Sequence, residues 1–225
     1  MDKTANLWNL ETGQKIFKID GHSGEVINIS FNTDGDKILT GSFDFTAKVW
    51  DCYSGDLICD LKEHTAEISA CQFSYSGAYI VTSSIDKTCK LWDVRKTNQS
   101  LHTFKGHDDE ILDVTFNLAG TKIATASSDC TSKVFNVKTL STECTLSGHT
   151  ADVSKVCFNS KGNLVMTGSS DRTVRLWDSE TGSCRQVLEG HKEEIFSCAF
   201  NYEGTTIISA SKDMTCRIYK DESIL

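Results

Sequence analysis

Residues 106–147 read GHDDEILDVTFNLAGTKIATASSDCTSKVFNVKTLSTECTLS and contain one complete copy of a repeating unit. After the Gly-His pair, ILDVTFN alternates large apolar residues with polar ones, which is typical of a half-buried strand. LAG then indicates a turn, because Gly120 can adopt a positive φ. TKIATASS and TSKVFNV predict a second and a third strand on either side of a tight turn at Asp129-Cys130, and STECTLS predicts a fourth. The segment therefore predicts four short strands in succession and no helix.

The same unit recurs along the whole chain with a period of 42 or 43 residues. One marker is a histidine, which follows glycine in four of its five copies, and another is the aromatic residue near the end of the third strand. The histidines are His22, His64, His107, His149 and His191. The aromatic residues are Trp8, Trp50, Trp92, Phe135, Trp177 and Tyr219. Because two independent positions keep the same spacing, the chain predicts an array of structural repeats.

A single four-stranded sheet with apolar residues on both faces cannot bury them by itself. Stacking such sheets around a shared axis buries both faces and leaves few open edges. We therefore predict an all-β fold, a β-propeller with four-stranded antiparallel blades, in one domain over residues 1–225. The strand count places a partial blade at 1–20, complete repeats at 21–62, 63–105, 106–147 and 148–189, and an incomplete last repeat at 190–225.

A specific combination of residues identifies the repeat family. Each unit combines a histidine near its start, Ser/Thr–x–x–x–Asp after the second strand, and an aromatic residue that is Trp-Asp in Trp50-Asp51, Trp92-Asp93 and Trp177-Asp178. This combination resembles the WD40 repeat and covers essentially the whole chain. The resemblance implies a hydrogen-bond network in each blade, from the tryptophan indole through a threonine hydroxyl and the histidine to an aspartate. The intact sets that it implies are Trp50, Thr40, His22 and Asp44; Trp92, Thr82, His64 and Asp86; and Trp177, Thr167, His149 and Asp171.

Two blades depart from this pattern. Phe135 has no N–H group to donate, and Tyr219 offers a hydroxyl on a ring of a different shape. We expect these two blades to be less stable than the others.

The resemblance also leaves two arrangements for the ends, because WD40 rings usually have seven or eight blades that interlock. In the first, the chain is the C-terminal part of a longer protein and forms a partial ring of about five blades, starting inside a blade at Met1 and stopping at DESIL. In the second, the chain closes a five-bladed ring, with QKIFKID (residues 14–20) completing the last blade. An open arc exposes sheet edges.

A hydroxyl, a histidine and an aspartate also suggest a hydrolase, since that trio makes an activated nucleophile. The trio recurs in five blades with fixed companions, whereas an active site is singular. The chain also lacks a phosphate-binding glycine-rich loop, H-E-x-x-H and G-x-S-x-G. The sequence therefore predicts no catalytic residue, no metal ligand and no cofactor.

Composition narrows the class of partner. The ten cysteines include no C-x-x-C pair, so we expect reduced structural thiols, with Cys71, Cys89, Cys157, Cys198 and Cys216 buried in strands. The net charge of −8 argues against a nucleic-acid-binding protein. No apolar run is long enough to cross a bilayer, and the N-terminus does not resemble a signal peptide. We expect proteins as partners, with no nucleic acid and no membrane.

Two repeat positions are candidate protein-binding sites on one rim of the propeller. The first carries an acid three residues after each of the five histidines: Glu25, Glu67, Glu110, Asp152 and Glu194. The second, just before the turn aspartate, varies in chemistry: Phe43, Ile85, Ser128, Ser170 and Lys212. Eleven of the 31 acidic residues are rim acids or turn aspartates, and the other 20 are fewer than the 23 basic residues. A basic segment of a partner is therefore the expected ligand, unless the acids only accept backbone N–H bonds.

Some segments contain residues that the general repeat pattern does not specify. DKTCKLWD (86–93), GHDDEILDVTFN (106–117), EEIFSCAFNYEG (193–204) and KDMTCRIY (212–219) resemble the WD-repeat dynein assembly factors of cilia and flagella. That resemblance implies a cargo adaptor that docks outer dynein arms onto the intraflagellar transport train. Its partners would be outer-arm dynein subunits and transport-train subunits, in the cytoplasm and in the cilium or flagellum, at the axoneme and basal body region. The alternative is a scaffold for signalling or for substrates of a ubiquitin ligase.

Overall fold

The computed structural model describes residues 2–96 and 99–220, and within them the chain forms 21 strands in six antiparallel sheets. The first sheet pairs β1 (Thr4–Trp8) with β2 (Lys15–Asp20). The second contains β3 (Val26–Phe31), β4 (Lys37–Ser42), β5 (Ala47–Asp51) and β6 (Leu57–Leu61). The third contains β7 (Ile68–Phe73), β8 (Tyr79–Ser84), β9 (Cys89–Asp93) and β10 (His102–Phe104).

The remaining three sheets follow the same order. The fourth contains β11 (Ile111–Phe116), β12 (Lys122–Ser127), β13 (Thr131–Asn136) and β14 (Ser141–Ser147). The fifth contains β15 (Val153–Phe158), β16 (Leu164–Ser169), β17 (Val174–Asp178) and β18 (Cys184–Leu188). The last contains β19 (Ile195–Phe200), β20 (Thr206–Ser211) and β21 (Cys216–Lys220). The described residues include no helix long and apolar enough to cross a bilayer.

Each sheet is a meander of consecutive strands, and the sheets stack through their first strands. The strands β3, β7, β11, β15 and β19 lie next to one another in that order along the inner side of the fold. All five line one concave space, which we call the channel. This arrangement confirms the all-β propeller with four-stranded antiparallel blades. Residues that begin a first strand lie at one end of the channel, and residues that end it lie at the other.

The hydrophobic core consists of layers between successive sheets. In one layer Ala124 and Val134 of the fourth sheet pack with Val156, Val165 and Trp177 of the fifth, and all five are buried. Burying a side chain of this size stabilises the fold by roughly 1.5–3 kcal/mol, so each blade depends on its neighbour for stability.

Some second strands use glycine to let the next sheet approach. A Cβ added to Gly168 would lie 2.9 Å from the Cγ2 atom of Ile195 on the next first strand. Gly41 meets Ile68 in the same way, also at 2.9 Å. These two positions therefore accept no larger residue unless the neighbouring sheet shifts.

A β-bulge interrupts the pairing of every complete first strand at the same place. It adds one unpaired residue, which increases the local twist and re-aims the side chains that follow. The register shifts lie between Val26 and Asn28, Ile68 and Ala70, Ile111 and Asp113, Val153 and Lys155, and Ile195 and Ser197.

The described strands form an open arc rather than a closed five-bladed ring. QKIFKID forms β2 and pairs with β1, and within the described residues β21 has no fourth strand beside it. Ile29 is consequently 52% exposed, although Cys71, its counterpart in the next blade, is buried. The expectations about Met1 and DESIL, including the outer bounds of the first and last repeats, lie outside the described residues.

The cysteines also differ in burial between the interior of the arc and its last sheet. Cys71, Cys89 and Cys198 are buried free thiols. Burial raises the pKa of Cys71 and Cys89, and the neighbouring Cys157 thiol together with burial raises the pKa of Cys198. The prediction that Cys157 and Cys216 are buried was wrong, because Cys157 is half-buried beside the channel and Cys216 is exposed. Among the described strands β21 pairs only with β20, so its other edge is uncovered and Cys216 is exposed.

Candidate protein-binding rim

Hydrogen bonds connect the histidine, threonine, aspartate and tryptophan of the fifth sheet. His149 Nδ1 lies 2.7 Å from Asp171 Oδ2, and its Nε2 lies 2.7 Å from Thr167 Oγ1. The indole of Trp177 donates to the same Thr167 oxygen over 2.8 Å. The sets at Trp50 and Trp92 repeat these three bonds at distances between 2.7 and 3.0 Å. Each set therefore connects the second strand, the third strand and the turn between them to the loop that carries the histidine.

The aspartate holds two loops together at the end of the channel where the first strands begin. Asp171 accepts bonds from the Thr150 and Thr173 backbone amides at 3.2 and 2.9 Å, and from the Thr173 hydroxyl at 2.7 Å. Burial alone would raise the pKa of Asp171, but the bonds from His149 and Thr173 outweigh it and hold that pKa well below its usual value. The carboxylate thus stays ionised and fixes the loop geometry at this end.

The buried trio has no access to a substrate. Thr167 is completely buried, and its oxygen already accepts the indole N–H. A nucleophile must reach a reacting atom, so this geometry makes the trio a structural cross-link. Among the described residues, no three His, Cys, Asp or Glu side chains are grouped so that they could hold a metal ion.

The two departing blades keep the histidine bonds and lose the aromatic donor. His107 lies 2.7 Å from both Asp129 and Thr125, while Phe135 packs against Phe104 with 4.7 Å between ring centroids. In the last blade His191 bonds to Ser209 and Asp213 at 2.8 and 2.9 Å. There the Tyr219 hydroxyl is buried, and no described residue forms a hydrogen bond with it.

The two predicted sets of rim residues lie side by side on every blade. In each blade the amide of the variable residue donates to the carbonyl of the rim acid over 2.9 to 3.0 Å. The pairs are Phe43 with Glu25, Ile85 with Glu67, Ser128 with Glu110, Ser170 with Asp152, and Lys212 with Glu194. The two sets are therefore one surface, which we call the acidic rim.

The carboxylates of the acidic rim are mostly unoccupied. Within the described part of the chain, the side chains of Glu25, Glu67, Glu110 and Asp152 accept no hydrogen bond, and the Glu194 side chain lies 3.5 Å from Lys212 Nζ. The backbone carbonyls of these residues, rather than their carboxylates, hold the loops. The suggestion that the acids exist to accept backbone N–H bonds therefore does not describe this structure.

The WD domain, G-beta repeat family matches residues 13–51, 55–93, 98–136, 140–178 and 182–220. The chain belongs to the WD40 family. Each matched range begins near the last strand of one blade and ends with the third strand of the next, so the family unit is offset from the sheet by one strand. A comparison with curated proteins finds no match. WD40 propellers are generally non-catalytic, and the repeats make this chain a protein-interaction scaffold.

The sequence analysis missed a third set of rim residues in this WD40 chain. The residue after each turn aspartate has a positive φ of 63 to 72° without being glycine. These residues are Phe45, Lys87, Cys130, Arg172 and Met214. Their chemistry varies as much as that of the variable rim residues, and this variation is the sequence signal by which they could have been recognised as rim residues. Such backbone strain costs about 1–3 kcal/mol and is concentrated at functional sites.

The chemistry of the rim differs from blade to blade. Phe43 and Phe45 are exposed on the first complete blade, beside Glu25. Lys87 on the second complete blade, and Arg172 and Lys212 on the later blades, bring positive charge to the rim. The WD40 rim is thus acidic and apolar at its first complete blade and mixed in charge elsewhere.

Proposed function

We propose that the acidic rim binds a basic segment of a partner protein. The observation that carries this proposal is that Glu25, Glu67 and Glu110 present carboxylates that no described group of the chain occupies. Unpaired charges of one sign around a channel mouth raise the local concentration of oppositely charged ligands and accelerate their association.

The apolar residues of the rim indicate which kind of basic segment would bind there. Phe43 and Phe45 lie next to an acid, so an arginine there would reach a carboxylate and an aromatic face together. Arginine is the basic side chain best suited to both contacts, because its planar guanidinium bonds carboxylates in pairs and stacks on rings. We therefore propose a segment that contains arginine and lysine with apolar residues between them.

For the cellular role, we propose a cargo adaptor for the assembly and intraflagellar transport of outer dynein arms into cilia or flagella. The support is the resemblance of four segments to the WD-repeat dynein assembly factors. All four of these segments contain rim residues: Lys87 lies in 86–93, Glu110 in 106–117, Glu194 in 193–204, and Lys212 in 212–219. On this proposal the rim would hold a dynein or transport-train subunit.

Affinity capture from a lysate of ciliated cells tests both the proposed binding of a basic segment at the rim and the proposed ciliary role. The baits are the wild-type chain, the Glu67→Lys/Glu110→Lys variant, and Glu180→Lys as a matched exposed acid in the turn after β17, away from the rim. We expect wild type and Glu180→Lys to retain outer-arm dynein or transport-train subunits, and the rim variant to lose them.

Two other outcomes would contradict the proposal at different levels. Retention of signalling or ubiquitin-ligase components, with loss on the rim variant, would keep the basic-segment rim and replace the ciliary role. Equal retention by all three baits would show that the rim carboxylates bind nothing.

A further inference from the structure

The channel has a second mouth at the opposite end from the acidic rim. It is a concavity of about 470 Å³, within the range of ligand-binding pockets, and residues of all five first strands line it. Each first strand of six residues runs from the rim to this mouth, which separates the two by roughly 17 Å at about 3.3 Å per residue. The two mouths are therefore distinct surfaces.

The lining of this mouth carries no charge. None of the nineteen described residues that form it is Asp, Glu, Lys, Arg or His, although 24% of the chain is charged. Phe73, Phe116 and Phe158 form much of its floor. A charged ligand would lose its hydration here without gaining an ionic partner, so the surface selects an uncharged one.

Exposed apolar side chains continue the surface outward onto the loops between the first and second strands. Tyr75, Leu118 and Tyr202 occupy the same position of three repeats, and Phe31 lies beside them at the mouth. Leu118 is 50% exposed and Tyr202 is 92% exposed. Aromatic residues are enriched at protein interfaces, and this surface extends beyond what a small molecule in the concavity would cover.

A buried polar group points to a ligand that can hydrogen-bond. The Ser30 hydroxyl, in the lining of the mouth, is buried and has no hydrogen-bond partner. Leaving such a group unsatisfied is unfavourable, and a backbone carbonyl or amide of a bound segment would satisfy it once the Ser30 side chain, whose oxygen is covered, turns toward the mouth.

The loops around the mouth are held in place before any ligand binds. Asn117 Oδ1 accepts the Thr121 and Lys122 amides at 2.8 and 2.9 Å. Thr33 donates to the Tyr75 carbonyl at 2.6 Å, which joins the loops of two neighbouring blades. A preorganised surface loses little conformational entropy on binding.

We propose that this second mouth, which we call the uncharged mouth, binds an uncharged segment of a partner protein that presents aromatic or aliphatic side chains. The site is separate from the acidic rim and goes beyond the function proposed for it. The chain then holds two partners of opposite chemistry at the two ends of one channel.

A phage-displayed library of random short peptides, selected on the immobilised full chain, tests this proposal. We expect enriched peptides that are poor in charged residues and rich in aromatic and aliphatic ones. Leu118→Lys should weaken their binding, measured by fluorescence polarisation, by at least about tenfold, or 1.4 kcal/mol. Leu10→Lys is the matched control, since Leu10 is 99% exposed in the turn after β1. This control and Glu67→Lys/Glu110→Lys should leave binding unchanged, and thermal melts should show all variants folded.

Four results would overturn the proposal. One is the absence of any enriched peptide, and another is binding that Leu118→Lys does not weaken. A third is enrichment of basic peptides whose binding is lost in Glu67→Lys/Glu110→Lys, which would support the acidic rim alone. The fourth is a wild-type dimer in sedimentation that Leu118→Lys dissociates, because the occupant would then be a second copy.

Discussion

Asp113 and Lys155 lie on the first strands of neighbouring blades, and the Lys155 ammonium is 3.0 Å from the Asp113 carboxylate. The same Asp113 oxygen also accepts the Val156 amide over 3.0 Å. Asp113 is buried and burial raises its pKa, whereas the Lys155 side chain is 38% exposed. This ion pair is a polar cross-link between two blades that also meet through a layer of apolar side chains.

We expect Lys155→Met to destabilise the protein by about 2 kcal/mol, because it leaves a buried carboxylate without its cation. Adding Asp113→Asn to that variant should recover much of the loss, since an amide oxygen still accepts the Val156 N–H and carries no charge. Urea unfolding of the single and double variants measures both steps. A double variant less stable than Lys155→Met would show that the charge on Asp113 is not what makes the single change costly.

The Thr167 and Thr125 hydroxyls test how much the indole bond contributes. Thr167 meets both Trp177 and His149, whereas Thr125 meets His107 and has Phe135 in place of the tryptophan. Thr167→Val should therefore cost about 1 kcal/mol more than Thr125→Val, which is the net value of one hydrogen bond.

Chemical denaturation compares the two variants directly, since both threonines are completely buried and equivalent in the repeat. Equal losses would mean that the indole bond adds nothing to stability. The expectation that the Phe135 blade is the less stable one would then have no support from hydrogen bonding.

Tyr219→Phe removes a buried hydroxyl that has no partner. We expect this change to leave the free energy of unfolding unchanged or to raise it by up to about 1 kcal/mol, because no bond is lost and an unsatisfied group disappears. The matched change Trp92→Phe, which removes the 3.0 Å bond to Thr82, should destabilise the protein. If Tyr219→Phe were as destabilising as Trp92→Phe, the hydroxyl would have to make a bond in solution.

Stability should fall in acid in two stages. Burial is the main reason that the pKa values of His22 and His107 lie below their usual value, despite the neighbouring aspartates. Between about pH 6.5 and the lower folded-state pKa, the unfolded chain binds more protons than the folded one. Acidification from about pH 7 to pH 5 should therefore lower the urea midpoint.

The aspartates dominate the second stage. Burial raises the pKa of Asp44, but hydrogen bonds from Thr46, His22 and Ser23 outweigh it and lower the value to about 2. The stabilisation from this carboxylate is complete above the unfolded pKa of about 3.9 and is lost as the pH falls toward 2. Asp44→Asn should lower the midpoint at neutral pH and reduce its further decline below about pH 4. A variant with the wild-type decline would assign the acid sensitivity to other groups.

Local pattern was enough to predict the blades, and the resemblance of the repeat to the WD40 family implied their networks. The strands alternate apolar and polar residues, and the repeat brings His149 and Asp171 to fixed offsets, so their contact follows once the unit is recognised as one sheet. The rim acids were also found from the repeat, because an acid recurs at one offset while its neighbours on the surface vary.

Contacts between blades depend on side chains in different repeats, and no spacing within one repeat reveals them. Asp113 and Lys155 occupy the same repeat position, which carries Asn28, Ala70 and Ser197 in the other blades, so that position shows no pattern. Only the bulge in each first strand, together with the approach of the next sheet, brings the two side chains to 3.0 Å.

The sequence by itself determined the repeat and the four-stranded unit, because these depend on positions within about 43 residues, and the family that the repeat resembles implied the residues of each hydrogen-bond network. Only the tertiary structure decided that the carboxylates of Glu67 and Glu110 are unoccupied, that Tyr219 lacks a partner, and that β2 pairs with β1. It also brought uncharged residues from five first strands around one mouth. Burial and pairing of this kind depend on how separate sheets approach one another. The periodicity of the sequence does not change when the sheets pack, so it carries no information about these contacts.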